Sequence, residues 1–302
     1  MHIPFYTADV FTNATFGGAQ VAVVTESDQL SDQQMQQIAQ ELNLWSTVFL
    51  NHEDSQNTYS LRMFTPEKEI DFGSHATLAA AQVLASTGKA KVSDASSPII
   101  FRHKTGDIDV HVTRQQDDYL ATFSLTTQPV VDNYVPSNEE LASLLSIDSK
   151  MIGIKDFKPL LVANKGVYIV VPIYYREQLE AAVFDRAAWN HSLAPNTLAQ
   201  QIILFSPQTE QPGADFHLRL LSPTGYSATP PPIGSAIPAF SAYLCAHDHI
   251  QKGTYSFIAE RGSSNTRRSL LHVEVDNKGS DQLTIRIGGT GVVVCEGNMR
   301  LS

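Results

Sequence analysis

The chain has 302 residues, the length of one large or two average domains, with 42% hydrophobic and only 17% charged residues. Its 21 basic residues stand against 31 acidic ones, a net charge of −10. That balance excludes a nucleic-acid protein, which needs a basic face to displace counterions, and it excludes docking on an anionic membrane. The N-terminal residues lack a basic, apolar leader, and the longest apolar run, near Val167 to Tyr175, contains Pro172 and is too short to span a bilayer. Two cysteines, Cys245 and Cys295, are too few for a disulfide framework. Composition therefore reads as a cytoplasmic globular protein that handles a small molecule.

Taken in chain order, Val21 to Val24 is a short apolar run after Gly17-Gly18 and reads as a buried strand. Ser31 to Asn43 reads as a helix, with Ser31 and Gln34 at capping-box spacing and Met35, Ile38, Ala39 and Leu42 on one face. Thr47 to Leu50 and Tyr59 to Thr65 read as strands. His75 to Ser86 leaves almost no polar face, so this helix is buried on all sides, and Gly88 ends it. Ile108 to Val112 and Tyr119 to Leu125 are strands, and Gln128 to Ser137, with two prolines, reads as a connection between lobes. Ser137 and Glu140 cap a surface helix carrying Leu141, Leu144 and Leu145 inward. Tyr168 to Ile173, Ile202 to Ser206 and Phe216 to Leu221 follow as strands. Ala236 to His247 is a second all-round apolar helix with Pro238 in its first turn, where a missing N–H costs little. Leu270 to Val275, Leu283 to Ile287 and Gly291 to Cys295 close the chain as strands.

One unit occurs twice. Leu61-Arg62-Met63-Phe64-Thr65-Pro66 precedes Gly73-Ser74 and the first buried helix. Leu218-Arg219-Leu220-Leu221-Ser222-Pro223, 157 positions later (61 to 218), precedes Gly234-Ser235 and the second. The repeat predicts two similar lobes with a pseudo-twofold cleft between them. A Gly-Ser helix start offers free backbone N–H groups and the positive end of the helix dipole, with Ser74 and Ser235 as N-caps. A carboxylate or developing enolate between two such ends is stabilised without a metal. His75, in the first turn, is expected to be a neutral imidazole there.

The segments Asp9-Val10-Phe11…Phe16-Gly17-Gly18, Glu41-Leu42-Asn43-Leu44…Phe49, Arg62-Met63-Phe64-Thr65-Pro66…Phe72-Gly73-Ser74-His75-Ala76-Thr77-Leu78-Ala79-Ala80-Ala81, Gly234-Ser235-Ala236, Arg267-Arg268-Ser269 and Gly288-Gly289…Val292-Val293-Val294…Glu296-Gly297 resemble the phenazine-biosynthesis isomerase (PhzF-like) family. The resemblance runs from end to end and implies an α+β, diaminopimelate-epimerase-like fold. Two pseudo-symmetric lobes are implied, each a mostly antiparallel sheet or barrel around a central buried helix. The N-terminal lobe is expected over 1–128, completed by strands near 285–302, and the C-terminal lobe over 129–284. The resemblance also implies a site between the lobes, no cofactor and, as often in the family, a homodimer, while the two Gly-Ser helix starts point to a small carboxylate-bearing ligand. Residues carried over as ligand contacts are Gly73, Ser74, Gly234, Ser235 and Gly262, the last following Glu260-Arg261.

The chain departs from the family at its acids. The family's Asn-Leu-Ser-Glu-Thr becomes Asn43-Leu44-Trp45-Ser46-Thr47, so Ser46 stands at the acid/base Glu. The family's Glu-Asp-Pro-x-Thr-Gly-Ser-Ala becomes Thr229-Pro230-Pro231-Pro232-Ile233-Gly234-Ser235-Ala236, so Pro230 stands at the Asp and Ile233 at the Thr. Cys-Gly-His becomes Gly73-Ser74-His75, and Gly-Asn becomes Gly18-Ala19. A two-cysteine racemase mechanism fails as well, because the cysteine-equivalent positions are Gly73 and Ile233; Cys245, within the apolar helix, reads as inert packing. Proton transfer at carbon needs a group that titrates near working pH, and His75 is the matched one that remains. Ser46 or Ser74 would orient. Arg62 and Arg219 read either as partners of a ligand carboxylate or as structural ion pairs. Trp45 either fills the space of the lost carboxylate or stacks on a ligand. His247-Asp248-His249 reads as a solvated turn, not a metal site. Two functions stay open: a PhzF-like isomerase or epimerase with altered proton-transfer chemistry, and a non-catalytic relative that binds a small molecule or regulates.

Overall fold

The computed structural model describes residues 2–53, 57–93, 95–116, 118–223, 231–279 and 281–301. Contacts divide the chain into two compact units: Met1–Ser124 with Asn265–Leu271 and Arg286–Ser302, and Leu125–Ser264 with His272–Ile285. Elements β1 (His2–Val10), β2 (Ala19–Val24), α1 (Asp32–Leu42), β3 (Thr47–His52), β4 (Thr58–Phe64), β5 (Glu69–Ile70), α2 (Ser74–Ser86), β6 (Ser97–His103), β7 (Gly106–Gln115) and β8 (Asp118–Thr127) run through the first part of the chain. They are followed by β9 (Val130–Asp132), α3 (Asn138–Leu145), β10 (Leu160–Asn164), β11 (Gly166–Pro172), α4 (Arg176–Ala181), α5 (Arg186–His191), β12 (Gln201–Ser206), β13 (Phe216–Leu221) and α6 (Ile237–Ala246). The last strands are β14 (Gly253–Arg261), β15 (Ser269–Asn277), β16 (Leu283–Gly289) and β17 (Gly291–Arg300).

In the first unit β1 pairs antiparallel with β2 and β17, β2 parallel with β3, β3 antiparallel with β4, and β4 parallel with β6. Both faces of this sheet are covered. Met35, Ile38 and Ala39 of α1 pack with Val24, Phe49 and Phe64, while α2 lies against β1, β2, β3, β7 and β17. That double cover is why Val21–Val24 and Val48–Leu50 are apolar without alternation. The Ser31–Gln34 capping box forms on both sides, and Gly88 leaves α2 at φ +68.

The second unit repeats the directions: β10 antiparallel to β11, β11 parallel to β12, β12 antiparallel to β13, β13 parallel to β14. Arg62 lies opposite Phe49, and Arg219 opposite Leu204, at matching places in the two units. Leu141, Leu144, Leu145, Leu179 and Trp189 of α3, α4 and α5 cover one face of β11 and β12. α6 lies against β9, β10 and β11, within an aromatic cluster in which Phe240 and Tyr243 both meet Phe205. The segment expected to be a bare connection contains β9, which pairs with β10 through Val130–Asp132. Its two valines supply strand propensity between the flanking prolines.

α2 carries one fully buried long polar side chain, Gln82. Its Nε2 donates to the carbonyls of Tyr119 (2.6 Å) and Gly289 (3.3 Å). Gln82→Leu keeps the volume and strips two buried carbonyls of their donor, so urea unfolding should show a loss of about 1–3 kcal/mol. An unchanged midpoint would mean those carbonyls find other donors.

Candidate active site

Ser46 sits at the entry to β3, where its carbonyl accepts from the Ala22 amide of β2. This fixes the residue at the point where the two parallel strands begin to pair. Its Oγ lies 2.9 Å from His75 Nε2, and both residues are buried. His75 is held from the other side by the start of α2. The helix therefore begins beside a serine–imidazole hydrogen bond.

The cap differs from the expectation. Gly73, at φ −156 and ψ 112, is the N-cap, and Ser74 is the first helical residue, so Ser74 caps nothing. Thr77 secures the turn instead, donating from both Oγ1 (3.0 Å) and N (2.9 Å) to the Gly73 carbonyl. No acidic residue lies in the first turn. The Ser74 hydroxyl is fully buried and makes no hydrogen bond among the described residues. A Cβ on Gly73 would make ordinary contacts, 3.4 Å to Ala76 Cβ and 3.7 Å to His75 Cε1. The fold itself therefore does not demand glycine there.

Asp9 was not singled out by the sequence, yet it organises the neighbouring loop. Its Oδ2 accepts the Phe16 amide at 2.7 Å, and its Oδ1 pairs with Arg267 Nη2. Arg267 Nε also donates to the Gly18 carbonyl, and the Gly18 amide donates to the carbonyl of Arg268. Phe11, Phe16 and Gly18 all adopt positive φ within this loop, a strained course that the Asp9–Arg267 pair holds. Burial pushes the Asp9 carboxyl up, against the pull of Arg267 and the Phe16 amide. A single aspartate ending an apolar strand was the available signal; its partner lies 258 residues away.

In the second unit Gly234–Ala236 form a short 3-10 turn, and α6 begins at Ile237 with Pro238 in its first turn. Ser235 is therefore not an N-cap either: Gly234 is buried and Ser235 exposed. The Ser235 carbonyl accepts from the Tyr168 hydroxyl at 3.5 Å. Gly262 follows β14 at φ +72, a left-handed turn that favours glycine. Pro230 lies outside the described residues, while Pro231, Pro232 and Ile233 are buried. Ser46, Gly73, Ser74 and His75 belong to the first unit, and Gly234, Ser235 and Gly262 to the second.

Both repeated arginines hold protein groups. Arg62 grips Glu69 through Nε (2.9 Å) and Nη2 (3.1 Å), reaches Asp32 and covers Phe64. Arg219 Nη1 donates to the carbonyls of Leu179, Glu180 and Ala182, closing the C-terminal end of α4. Trp45 is half-buried. Burial pushes the Cys245 thiol up to about 11, so it is not a thiolate at neutral pH. His247 Nε2 accepts the Lys158 amide, and His249 Nε2 bonds the Tyr255 hydroxyl. Among the described residues no group of three or more His, Cys, Asp or Glu is placed to hold a metal ion, and no helix is long and apolar enough to cross a membrane.

Two neighbouring serines thus differ sharply. Ser46→Ala removes a buried hydrogen bond and should cost about 1–2 kcal/mol in urea unfolding. Ser74→Ala removes a buried hydroxyl without a partner and improves helix propensity, so it should be neutral or stabilising by up to about 1 kcal/mol. A Ser74→Ala loss comparable to that of Ser46→Ala would show that the hydroxyl is satisfied in solution.

Comparison with known proteins agrees with this architecture. Residues 8–297 match the family model described as phenazine biosynthesis-like protein. A protein of Mesorhizobium japonicum named an uncharacterized isomerase is 26% identical over 295 residues, covering 96% of each chain. A crystal structure of a Bacillus anthracis phenazine biosynthesis protein of the PhzF family matches with a TM-score of 0.85 at 20% identity, covering 100% of both chains. A hydroxyproline epimerase from Agrobacterium vitis, solved with bound trans-4-hydroxy-L-proline, shares the fold with a TM-score of 0.62 at 11% identity, over 99% of this chain and 91% of that one. The match over nearly the whole length places this mostly β fold with racemases and epimerases, and the chain belongs to the phenazine biosynthesis-like (PhzF) family of isomerases.

Proposed function

We propose that the protein binds a small carboxylate-bearing metabolite at the start of α2 and transfers a proton at carbon through His75, without a cofactor. The Ser46 Oγ–His75 Nε2 hydrogen bond of 2.9 Å carries this reading. A hydroxyl both donates and accepts. Ser46 can therefore donate to Nε2 while the imidazole is neutral and accept from Nε2–H once it is charged. The contact survives a proton cycle, whereas a carboxylate at position 46 would bias the ring toward its charged form. The buried Ser74 hydroxyl supplies a donor for the carboxylate or for an enolate as it forms.

In this reading Gly234, Ser235 and Gly262 are further ligand contacts, and the working form is a homodimer. The bound trans-4-hydroxy-L-proline in the related epimerase supports a small carboxylate as the ligand class. The family resemblance supports a second reading, a binding or regulatory protein without catalysis, because it sets Ser46 and Pro230 against the family's two acids.

The test is incubation in D2O with a panel of L- and D-α-amino and α-hydroxy carboxylates that includes trans-4-hydroxy-L-proline, read by proton NMR. Deuterium should enter at the α-carbon of a panel member, and His75→Ala should lower the rate by about 10²–10⁴-fold. Exchange that survives His75→Ala would sink the acid/base assignment. Binding without exchange would establish the second reading. Ser46→Glu combined with Pro230→Asp should raise any exchange rate if the site is otherwise intact.

A further inference from the structure

His217, on β13, lies between two carboxylates. Its Nδ1 is 2.6 Å from Glu260 Oε1 on β14, and its Nε2 is 2.5 Å from Glu180 Oε1 on α4. The side chains of His217 and Glu260 are fully buried, and that of Glu180 is 39% exposed. Three such groups at these distances need two protons between them, because a bare ring nitrogen cannot face a bare carboxylate so closely in a buried site. The charged imidazole between two carboxylates meets that count.

Glu260 carries the arrangement onward. Its Oε1 accepts the Glu210 amide (3.0 Å) and its Oε2 the Gln211 amide (2.5 Å). The Glu210 carboxylate in turn accepts the Ser264 amide at 2.8 Å and faces Arg176 at 3.6 Å. Residue 210 therefore ties both ends of the 260–264 turn, Glu260 through its backbone and Ser264 through its side chain. Gly262 is the middle of that turn.

We propose that His217 is a positioning residue, which acts through Glu260 and Glu210 to set the backbone of the turn that presents Gly262 to the ligand. The proposal rests on the reading of Gly262 as a ligand contact. The charge balance around the ring agrees with it. Burial opposes the charged imidazole, but the bonds to Glu180 and Glu260 outweigh it and hold His217 above its ordinary value of 6.5. The bond to His217 holds Glu180 below its usual range. Burial opposes ionisation of Glu260, yet His217 and the Glu210 and Gln211 amides bring it below its usual range. Arg176 and Arg219 lie on the Glu180 side and favour its charge. The signs follow. The contribution of His217 to stability is complete below pH 6.5 and is lost as pH rises through its raised value. The contributions of Glu180 and Glu260 are complete above their ordinary 4.5 and are lost as pH falls through their lowered values. When His217 loses its proton, half-exposed Glu180 is the partner free to turn to water, while Nδ1–H keeps Glu260.

The experiment needs no ligand for its first part. In protein labelled with ¹⁵N-histidine, both ring nitrogens of His217 should remain protonated at pH 7. Amide exchange should rise roughly tenfold or more at Gln211 and Ser264 in His217→Phe, with α2 unchanged, and His217→Gln should recover part of the protection. Glu210→Ala, a surface change, should raise exchange at Ser264 but not at Gln211, and it serves if His217→Phe does not fold. A His217 that titrates near pH 6.5, or Ser264 protection unchanged in both variants, would overturn the clamp. For the ligand part, trans-4-hydroxy-L-proline is titrated by calorimetry into wild type and Glu210→Ala. Binding to the wild type weakened about tenfold in the variant supports the presenting role, and equal affinity overturns it. No binding to the wild type counts against the reading of the site and overturns the presenting role for this ligand, an outcome distinct from the exchange result.

Discussion

A helix without a polar face has to be surrounded, and the rest of this protein follows from where that puts its first turn. α2 is buried from Ser74 to Ala85. The amides of a helix's first turn lack intrahelical partners, and in α2 they begin within protein and not in bulk water. Most buried helix starts meet this with a capping side chain. Here the N-cap is glycine, the first turn has no acid, and Ser74 adds a further buried donor. Donors concentrated in a buried place favour an anionic group far more than the same donors would at a surface.

A serine at position 46 gives that turn a different electrostatic character from a carboxylate. A carboxylate there would compete with an anionic ligand for the same donors and would hold His75 charged. A hydroxyl leaves the turn without a fixed negative charge and leaves the imidazole free to change state. In the proposed reading the proton transfer would rest on a histidine, whose ordinary pKa is nearer neutrality than a carboxylate's. Stability measurements on Ser46 and Ser74 bear on the same point, since a buried hydroxyl kept without a partner is a cost that folding alone does not explain.

Much of this was legible in the residues because it is local. The capping boxes at Ser31–Gln34 and Ser137–Glu140 form as their spacing predicts. The two apolar helices, the doubly covered strands and the repeat around Arg62 and Arg219 also came from patterns a few residues wide. What stayed hidden is non-local or side-chain specific. Asp9 meets Arg267 across almost the whole chain, and His217 meets Glu180 and Glu260 from separate elements. No spacing rule pairs such residues. The serines were misread as caps for a physical reason. Ser74 falls one position inside the first turn of α2, and Ser235 lies in the 3-10 turn that precedes α6, so neither stands at an N-cap. The ambiguous arginines were decided by carbonyls and carboxylates supplied by other elements.

The two units share strand directions and an arginine at the same register, yet they use polar groups differently. In the first, Arg62 neutralises carboxylates of its own surface, and the buried pair is Ser46–His75, a hydroxyl hydrogen-bonded to an imidazole. In the second, Arg219 is spent on helix carbonyls, and the buried cluster is Glu180–His217–Glu260, charged and held by the ring nitrogens and by the Glu210 and Gln211 amides. A neutral pair tolerates a change of protonation without losing its contact, whereas the charged triad loses a partner when its proton leaves. The first arrangement is therefore the one that accommodates the proposed proton transfer, and the second is the one that holds a fixed geometry, although the strand directions around them are the same.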